Sequence, residues 1–331
     1  MNNSISVCRD TRIDSIKFCL MVLVIVGHTV EIGINNSDEM LQYVWNWIYI
    51  FHMPLFVFIS GYFSYKQEST QKNYSKILSL FEPFLLLQFI YIVISLLLNK
   101  EIKILTPWWV SWYLLSLIFW RIILQIVPSK ILKNTKFVVI TVFVIGIIAG
   151  FLPFGRILSI QRTLSFLPFF FMGYYMRGKK IYFSSKCKIY CLLFLLITVF
   201  ILPFISQYLG DLTRANLYVN VHCMVYRILG YLMCIPMSIA FINICPNNKL
   251  LAEHGRYTMQ YFVYHAVILY FFKAIVEYFL LPTSFIFCIF YSLVIIVIIW
   301  SALRISLIAK FVTPFSLLIE LNRKHNKFYI E

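Results

Sequence analysis

The sequence predicts an all-α fold, a polytopic transmembrane bundle of about ten helices with both chain termini in the cytoplasm. Two observations lead to this prediction, the composition and the placement of basic residues. Hydrophobic residues make up 61% of the 331 residues and charged residues only 13%, whereas a soluble domain carries about 25% charged residues. A soluble core of this size cannot bury so much apolar surface, which excludes the soluble globular classes.

Apolar runs long enough to cross a bilayer divide the chain into ten predicted spans. A spanning helix needs about 20 apolar residues, because each residue adds about 1.5 Å to its length. The runs follow one another without an inserted soluble domain, so we predict one membrane domain over residues 1–331. The predicted spans lie near 14–34, 44–64, 77–98, 108–127, 136–153, 162–178, 187–206, 222–244, 257–281 and 284–309.

The positions of the Lys and Arg residues predict the orientation of these spans. Cytoplasmic loops of membrane proteins are enriched in Lys and Arg. If the N-terminus is cytoplasmic, most of the 29 basic residues fall in cytoplasmic segments. The outer segments then contain only Lys100, Lys103, Arg156, Arg162 and Arg214. The net charge of +16 is therefore interpreted as orientation in a cytoplasmic membrane, and we expect no nucleic-acid partner.

The first predicted span carries polar side chains at regular spacings. Lys17 and His28 are eleven residues apart, which places them on nearly one helix face and about 16 Å apart along the axis. Asp14 precedes Lys17 by one turn, a spacing that permits an ion pair. Glu31 follows His28 by one turn, where a carboxylate can orient the imidazole and favour proton uptake. Polar groups at membrane depth usually mark function, so His28 is the candidate base.

A second histidine is predicted at the same depth in the membrane. His52 lies about eight residues into the second span, and His28 about six residues from the outer end of the first. A short loop joins these antiparallel helices, so we expect the two imidazoles to lie close together. Arg227 and Arg162 are predicted near the same level and can join this outer group. The outer tryptophans are interpreted as an interfacial belt: Trp45, Trp47, Trp108, Trp109 and Trp112.

A further group of polar residues is predicted nearer the cytoplasm. It comprises Lys17, Glu82, Arg121, His265 and Arg304. Cationic side chains in an inner vestibule suit a phosphate-bearing donor from the cytosol. Alternatively, the long side chains of Arg121 and Arg304 extend to the inner membrane interface and have no part in binding. The sequence shows no spacing typical of metal ligands, so we expect no metal cofactor.

Four stretches resemble, in the same order, motifs of the acyltransferase 3 family of integral membrane acyltransferases. They are DSIKFCLMVLVIVGH, FHMPLFVFISGYF, RTLSFLPFFFMGYYM and GRYTMQYFVYH. In the first, Lys17 stands where the family more often has Arg. The second resembles the fucose 4-O-acetylase-like branch, whose members modify polysaccharides of biofilms. The chain departs from the family at Lys72 and Lys76, where some members carry an Arg-x-x-Arg motif.

The resemblance implies O-acyl transfer, usually of an acetyl group, from cytosolic acetyl-CoA to a hydroxyl of an envelope or extracellular glycan, free or lipid-linked. His28 would act as the base or first accept the acyl group itself. Glu31 would orient His28, and His52 or Arg227 would stabilise the oxyanion or hold the acceptor. Lys17, with Asp14 beside it, and the other inner residues would bind the phosphates of CoA.

A transporter or flippase of a lipid-linked sugar or small anion is the competing class. Intramembrane Arg, Lys and His residues also suit such a protein. Against it, the sequence shows no internal repeat and no pair of interrupted spans. A polysaccharide polymerase is a further alternative, but it would be expected to have larger outer loops.

Overall fold

The computed structural model describes residues 10–34, 39–64, 70–182, 187–214 and 217–313. The regular elements of the described residues are all helices, with no β-strand among them, which confirms the predicted all-α class. The two chain termini, residues 1–9 and 314–331, lie outside the described residues. Their cytoplasmic location therefore stays a prediction, and the side chains of Lys72 and Lys76 also lie outside what is described.

Thirteen α-helices follow one another along the described part of the chain. They are α1 (Thr11–Gly33), α2 (Glu39–Tyr62), α3 (Thr70–Leu97), α4 (Trp112–Ile126), α5 (Ser129–Leu132), α6 (Thr135–Ile148), α7 (Ile160–Met176), α8 (Cys187–Arg214), α9 (His222–Ile244), α10 (Lys249–Gly255), α11 (Thr258–Tyr278), α12 (Phe285–Leu303) and α13 (Ser306–Phe311).

Each of the ten predicted spans coincides with one of the longer helices. By length and apolar composition, seven helical segments can cross a bilayer, and they contain α1, α2, α3, α4, α9, α11 and α12. The apolar parts of α6 and α8 are shorter, and α7 has 17 residues. These lengths are at or below the lower limit of about 17 residues for a spanning helix. The total of ten crossings remains a prediction.

Loops predicted to share the cytoplasmic side meet at one end of the bundle. The Ser15 hydroxyl donates to the carbonyl of Asn248 over 3.0 Å, which joins the start of α1 to the start of α10. The Tyr62 hydroxyl donates to the carbonyl of Lys179 over 3.2 Å, which joins the ends of α2 and α7. These contacts place the predicted inner segments together.

Loops predicted to share the outer side meet at the opposite end. The Leu158 amide donates to the carbonyl of Leu105 over 2.8 Å, and the Tyr218 amide donates to the carbonyl of Gly150 over 2.8 Å. The segments before α4, before α7 and before α9 are therefore linked. These contacts among the described loops are consistent with the predicted topology.

Helix α1 occupies the interior of the bundle and carries the predicted base. It begins with Asp10, whose carboxylate accepts hydrogen bonds from the amides of Arg12 and Ile13 and so caps the first turn. It packs against α2, α10, α11 and α12. Residues on opposite sides of α1 are consequently buried, and its polar side chains face protein rather than lipid.

Helices α2 and α7 cross at a point where two glycines allow close approach. A Cβ atom added at Gly61 would overlap the backbone carbonyl of Phe170, and one added at Gly173 would overlap that of Phe58. Small residues commonly permit such contacts between membrane helices. The crossing fixes α2, which carries His52, against α7, which carries Arg162.

We predict that Gly173→Ala destabilises the protein by about 1–3 kcal/mol, because the added methyl group forces two backbones apart. A thermal unfolding scan of the detergent-solubilised protein should show a lower midpoint temperature than the wild type. Gly178→Ala measures the cost of the backbone conformation alone, since the space around it is open but its φ of +72° disfavours alanine. An unchanged midpoint for Gly173→Ala would contradict the proposed crossing.

Candidate active site

His28 is held by a hydrogen-bonded pair with Glu31 on the same face of α1. Its Nδ1 lies 2.8 Å from Oε2 of Glu31, as the one-turn spacing predicts. An ionised carboxylate only accepts hydrogen bonds, so we assign the imidazole proton to Nδ1. The Tyr49 hydroxyl of α2 lies 2.9 Å from Nδ1 and donates to the same carboxylate oxygen over 3.3 Å. In the neutral imidazole, Nε2 is then left as the proton acceptor.

Two further rings enclose the imidazole of His28. The indole of Trp109 lies edge-on, with ring centroids 4.6 Å apart, and His265 stacks at 5.7 Å. His265 is fully buried, and its Nδ1 donates to the carbonyl of Tyr261 over 3.0 Å. Its Nε2 is buried and has no hydrogen-bond partner among the described residues.

The predicted placement of His265 near the cytoplasm is wrong. Gly255, just before α11, packs against the carbonyl of Asp14, which already lies inside α1. Helix α11 is therefore offset along α1, which brings His265 beside His28.

His52 lines the same cavity as His28. It is buried, and its Nδ1 donates to the carbonyl of Ile48 over 2.8 Å. Its ring packs edge-on against Tyr49, with centroids 4.7 Å apart. Tyr49 thus contacts both histidines, and both line the same cavity.

The cavity that contains these histidines has a volume of about 400 Å³. Its walls combine aromatic rings with basic side chains. The tryptophans among its lining residues are Trp45, Trp108, Trp109 and Trp112, and the cationic residues are Lys103, Arg156 and Arg162. These tryptophans were interpreted as a membrane belt, but they form walls of the cavity. The three cations are among the five basic residues predicted on the outer side.

Arg227 lies elsewhere, which corrects the predicted outer group. Its guanidinium is fully buried and donates to the hydroxyl of Ser165 over 3.0 Å and to the carbonyl of Gly146 over 3.3 Å. The ring of Tyr218 covers it at 4.4 Å. The prediction grouped Arg227 with His28 because the two residues lie at a similar depth in the membrane. The Arg227 side chain instead points from α9 towards α6 and α7. Arg227 is not among the described residues that line the cavity.

The inner residues other than His265 lie on four separate helices, with Glu82 on α3. Lys17 forms the predicted ion pair with Asp14, with Nζ and Oδ1 2.6 Å apart, and Lys17 retains about a fifth of its side-chain exposure. Arg121 is half-buried on α4. Arg304, at the end of α12, is exposed and stacks over Trp300 at 4.4 Å. The position of Arg304 fits the interfacial alternative better than a shared binding site.

Tyr49 and Trp109 are site residues that the sequence reasoning missed. Tyr49 precedes His52 by one turn of α2, and that spacing was the available signal. Trp109 has a φ of +33°, an unusual conformation for a residue with a side chain. Such backbone geometry is not readable from the sequence. Across the described residues, no group of three or more His, Cys, Asp or Glu side chains is placed to hold a metal ion.

The chain matches the family model described as an acyltransferase domain, that of acyltransferase 3, over residues 10–302. It is 43% identical over 56 residues to nodulation protein NolL of Sinorhizobium fredii, a segment that is 16% of this chain and 15% of NolL. No solved structure matches the chain significantly.

The family match covers nearly all of the described residues and includes every element that forms the cavity. It agrees with the resemblance carried by the four sequence motifs. With its apolar helices long enough to cross a bilayer, the chain is a multi-pass membrane protein and belongs to the acyltransferase 3 family of membrane acyltransferases.

Proposed function

We propose that the protein is a membrane O-acetyltransferase of the cytoplasmic membrane. It transfers an acetyl group from cytosolic acetyl-CoA to a sugar hydroxyl of a cell-envelope or extracellular polysaccharide. The observation that carries this proposal is the His28–Glu31 pair, 2.8 Å apart, in the wall of an aromatic cavity. Membership of the acyltransferase family favours acyl transfer over the transport of a lipid-linked sugar.

The assigned tautomer of His28 suits it to general-base catalysis. Its Nε2 accepts the proton of the sugar hydroxyl while the hydroxyl oxygen attacks the thioester carbonyl carbon. The carbon–sulfur bond then breaks, and the imidazolium returns the proton to the leaving thiolate of CoA. Glu31 stabilises the imidazolium between these steps, since its carboxylate accepts from Nδ1.

A two-step route uses the same nitrogen. Nε2 of His28 attacks the acetyl carbonyl carbon, the carbon–sulfur bond breaks, and CoA leaves as the thiolate from an acetyl-imidazolium. The sugar hydroxyl oxygen then attacks the acetyl carbon, the bond to Nε2 breaks, and the hydroxyl proton passes to the thiolate of CoA. Both routes require the Nδ1–H to remain on the Glu31 side. The proposal therefore places His28 at the reacting carbon in either case.

The geometry refines the roles proposed for the other outer residues. Since His52 donates through Nδ1 to Ile48, its neutral ring offers Nε2 as an acceptor and cannot donate to an oxyanion. We therefore propose that His52 accepts a hydrogen bond from a sugar hydroxyl. Arg162 lines the cavity and takes the acceptor-holding role considered for Arg227.

The donor is proposed to enter from the opposite end of the bundle. Lys17, held by Asp14, is about 16 Å along α1 from His28, so it can bind a CoA phosphate while the pantetheine arm extends towards His28. Arg121 can contribute to the same electrostatic field. The Nε2 of His265 lies beside His28 and has no hydrogen-bond partner within the described part of the chain, so it can accept a hydrogen bond from an amide of that arm.

We predict that His28→Ala lowers acetyl transfer by about 10³-fold, because both routes use its Nε2. The measurement is CoA release from acetyl-CoA in the presence of a glycan acceptor, with purified protein. His222→Ala is the matched control, since His222 is exposed at the start of α9 and should transfer at the wild-type rate. Transfer by His28→Ala within twofold of wild type would exclude His28 as base or acyl carrier.

Glu31→Gln should lower kcat by about 10- to 100-fold, because an amide stabilises the imidazolium less than a carboxylate does. The KM for acetyl-CoA should change little, since Glu31 lies on the acceptor side of His28. Steady-state kinetics with varied acetyl-CoA separate the two constants. A rise in KM with kcat unchanged would instead assign Glu31 to donor binding.

Lys17→Gln should raise the KM for acetyl-CoA by about tenfold through loss of one charge-assisted phosphate contact. Lys273→Gln provides the control, because Lys273 forms an exposed ion pair with Glu277 at the other end of the bundle. Equal KM values for Lys17→Gln and the wild type would remove Lys17 from the donor site.

A further inference from the structure

Two loops at the predicted outer end of the bundle carry the same short pattern, a basic residue followed by two apolar ones. Residues 103–105 read Lys-Ile-Leu and lie between α3 and α4, and residues 156–158 read Arg-Ile-Leu and lie between α6 and α7. The amide of Leu158 donates to the carbonyl of Leu105 over 2.8 Å, which joins the two segments. We call residues 103–105 and 156–158 the loop pair.

The apolar residues of the loop pair are exposed rather than packed in the protein core. Their exposed fractions run from 37% to 73%, and they are Ile104, Leu105, Ile157 and Leu158. Adjacent apolar side chains that stay outside the core mark a surface for an apolar partner. In a multi-pass membrane protein, such a surface suits the hydrocarbon chain of a lipid.

The loop before α4 returns into the membrane alongside α3. The Lys103 amide donates to the hydroxyl of Tyr91 over 3.2 Å, and the Trp108 amide donates to Oε1 of Gln88 over 2.7 Å. Tyr91 and Gln88 precede Leu97, the last residue of α3, by about 9 and 14 Å of helix. Leu97 is itself exposed, as expected for a residue that faces lipid. Lys103 therefore lies at a depth where α3 is still surrounded by lipid.

Non-helical backbone at membrane depth is tolerated only where it is buried in protein or lines a water-filled cavity. This loop meets that condition through four residues that line the cavity, Lys103, Thr106, Pro107 and Trp108. Between them along the chain, Ile104 and Leu105 are exposed. The loop thus separates the cavity that contains His28 from a surface that faces lipid.

The basic residues of the loop pair place positive charge at this boundary. Lys103 and Arg156 both line the cavity, and each is followed directly by an exposed isoleucine. Nζ of Lys103 lies 3.3 Å from Oε2 of Glu101, but both side chains are mostly exposed, so this pair is weak and the ammonium keeps further hydrogens to donate. Ser159, next to Leu158, is 2% exposed and lines the cavity, and its hydroxyl has no hydrogen-bond partner among the described residues. These groups offer donors to an anion where the cavity meets the apolar surface.

A ligand that fits this arrangement carries an anion between an apolar chain and a polar head. We propose that the acceptor is a lipid-linked glycan, in which a phosphate or diphosphate joins a hydrocarbon chain to the first sugar. The phosphate accepts hydrogen bonds from Lys103, Arg156 and the Ser159 hydroxyl. The chain lies against the exposed apolar side chains of the loop pair, and the sugar enters the cavity towards His28.

This inference rests on the proposed function only where it identifies the bound sugar as the one that is acetylated. The phosphate site and His28 line one cavity. The acetylated sugar is therefore one of those nearest the lipid, and acetylation precedes release of the glycan from its lipid carrier.

Binding measurements without donor test this proposal separately from catalysis. Purified full-length protein in neutral detergent is titrated with farnesyl phosphoglucose, with farnesyl glucoside, which lacks the phosphate, and with glucose 1-phosphate, which lacks the chain. Tryptophan fluorescence reports binding, because tryptophans line the cavity. The N-acetylglucosamine versions form a second set. In at least one set, the complete probe should bind about tenfold more tightly than either partial probe, since each partial probe loses one of the two contacts.

Two double variants assign the affinity to the loop pair. Lys103→Gln, Arg156→Gln should bind the complete probe within about twofold of the farnesyl glucoside, because the phosphate contacts are lost. Ile104→Ser, Ile157→Ser should weaken both chain-bearing probes and leave glucose 1-phosphate unchanged. Lys100→Gln is the control, since Lys100 is exposed on the same loop and is not among the described residues that line the cavity. It should keep the wild-type affinities.

Equal affinities of complete and partial probes in both sets, including no binding of any probe, would overturn the proposal. Displacement of the complete probe by an equal concentration of phosphatidylglycerol would also overturn it, because the loop pair would then be a general site for membrane lipids. Displacement by CoA would assign the two cations to the donor instead. A protein that binds the complete probe with the stated preference but transfers no acetyl group would contradict only the proposed function.

Discussion

The hydrogen bond between His28 and Glu31 is the interaction on which the site depends. An imidazole and a carboxylate inside a membrane helix are costly unless they are paired and enclosed by protein. Spacing within α1 supplies the pairing, and Tyr49 from α2 donates a second hydrogen bond to the carboxylate. The interior position of α1 follows from this requirement, because its polar residues must face other helices. The packing of α2 and α11 then encloses the imidazole.

The same arrangement leaves His28 open in one direction. The carboxylate and Tyr49 occupy the Nδ1 side, while Trp109 and His265 contact the ring. The cavity extends towards the loops before α4 and α7, where the aromatic and basic residues lie. Lys17 and Asp14 lie towards the other end of α1. A single helix thus connects the two regions assigned to the acceptor and the donor.

Features set by local helix geometry could be predicted from the sequence, and features set by contacts between helices could not. The Asp14–Lys17 and His28–Glu31 pairs follow from one-turn spacings, and the apolar runs located the ten longer helices. The level of His265 depends on the offset of α11 against α1, and the direction of Arg227 on the rotation of α9. The left-handed backbone of Leu158 and Ser159, with φ of +46° and +56°, likewise accompanies a contact with a distant loop, in which the Leu158 amide donates to the carbonyl of Leu105.

The central claim is that donor and acceptor reach His28 from opposite ends of the bundle. It is tested most directly in sealed proteoliposomes containing the full-length protein, with labelled acetyl-CoA on one side and an acceptor oligosaccharide on the other. The account predicts that labelled oligosaccharide forms when the two substrates are on opposite sides of the membrane and not when both are on the same side. Product formed only with both substrates on the same side would contradict it.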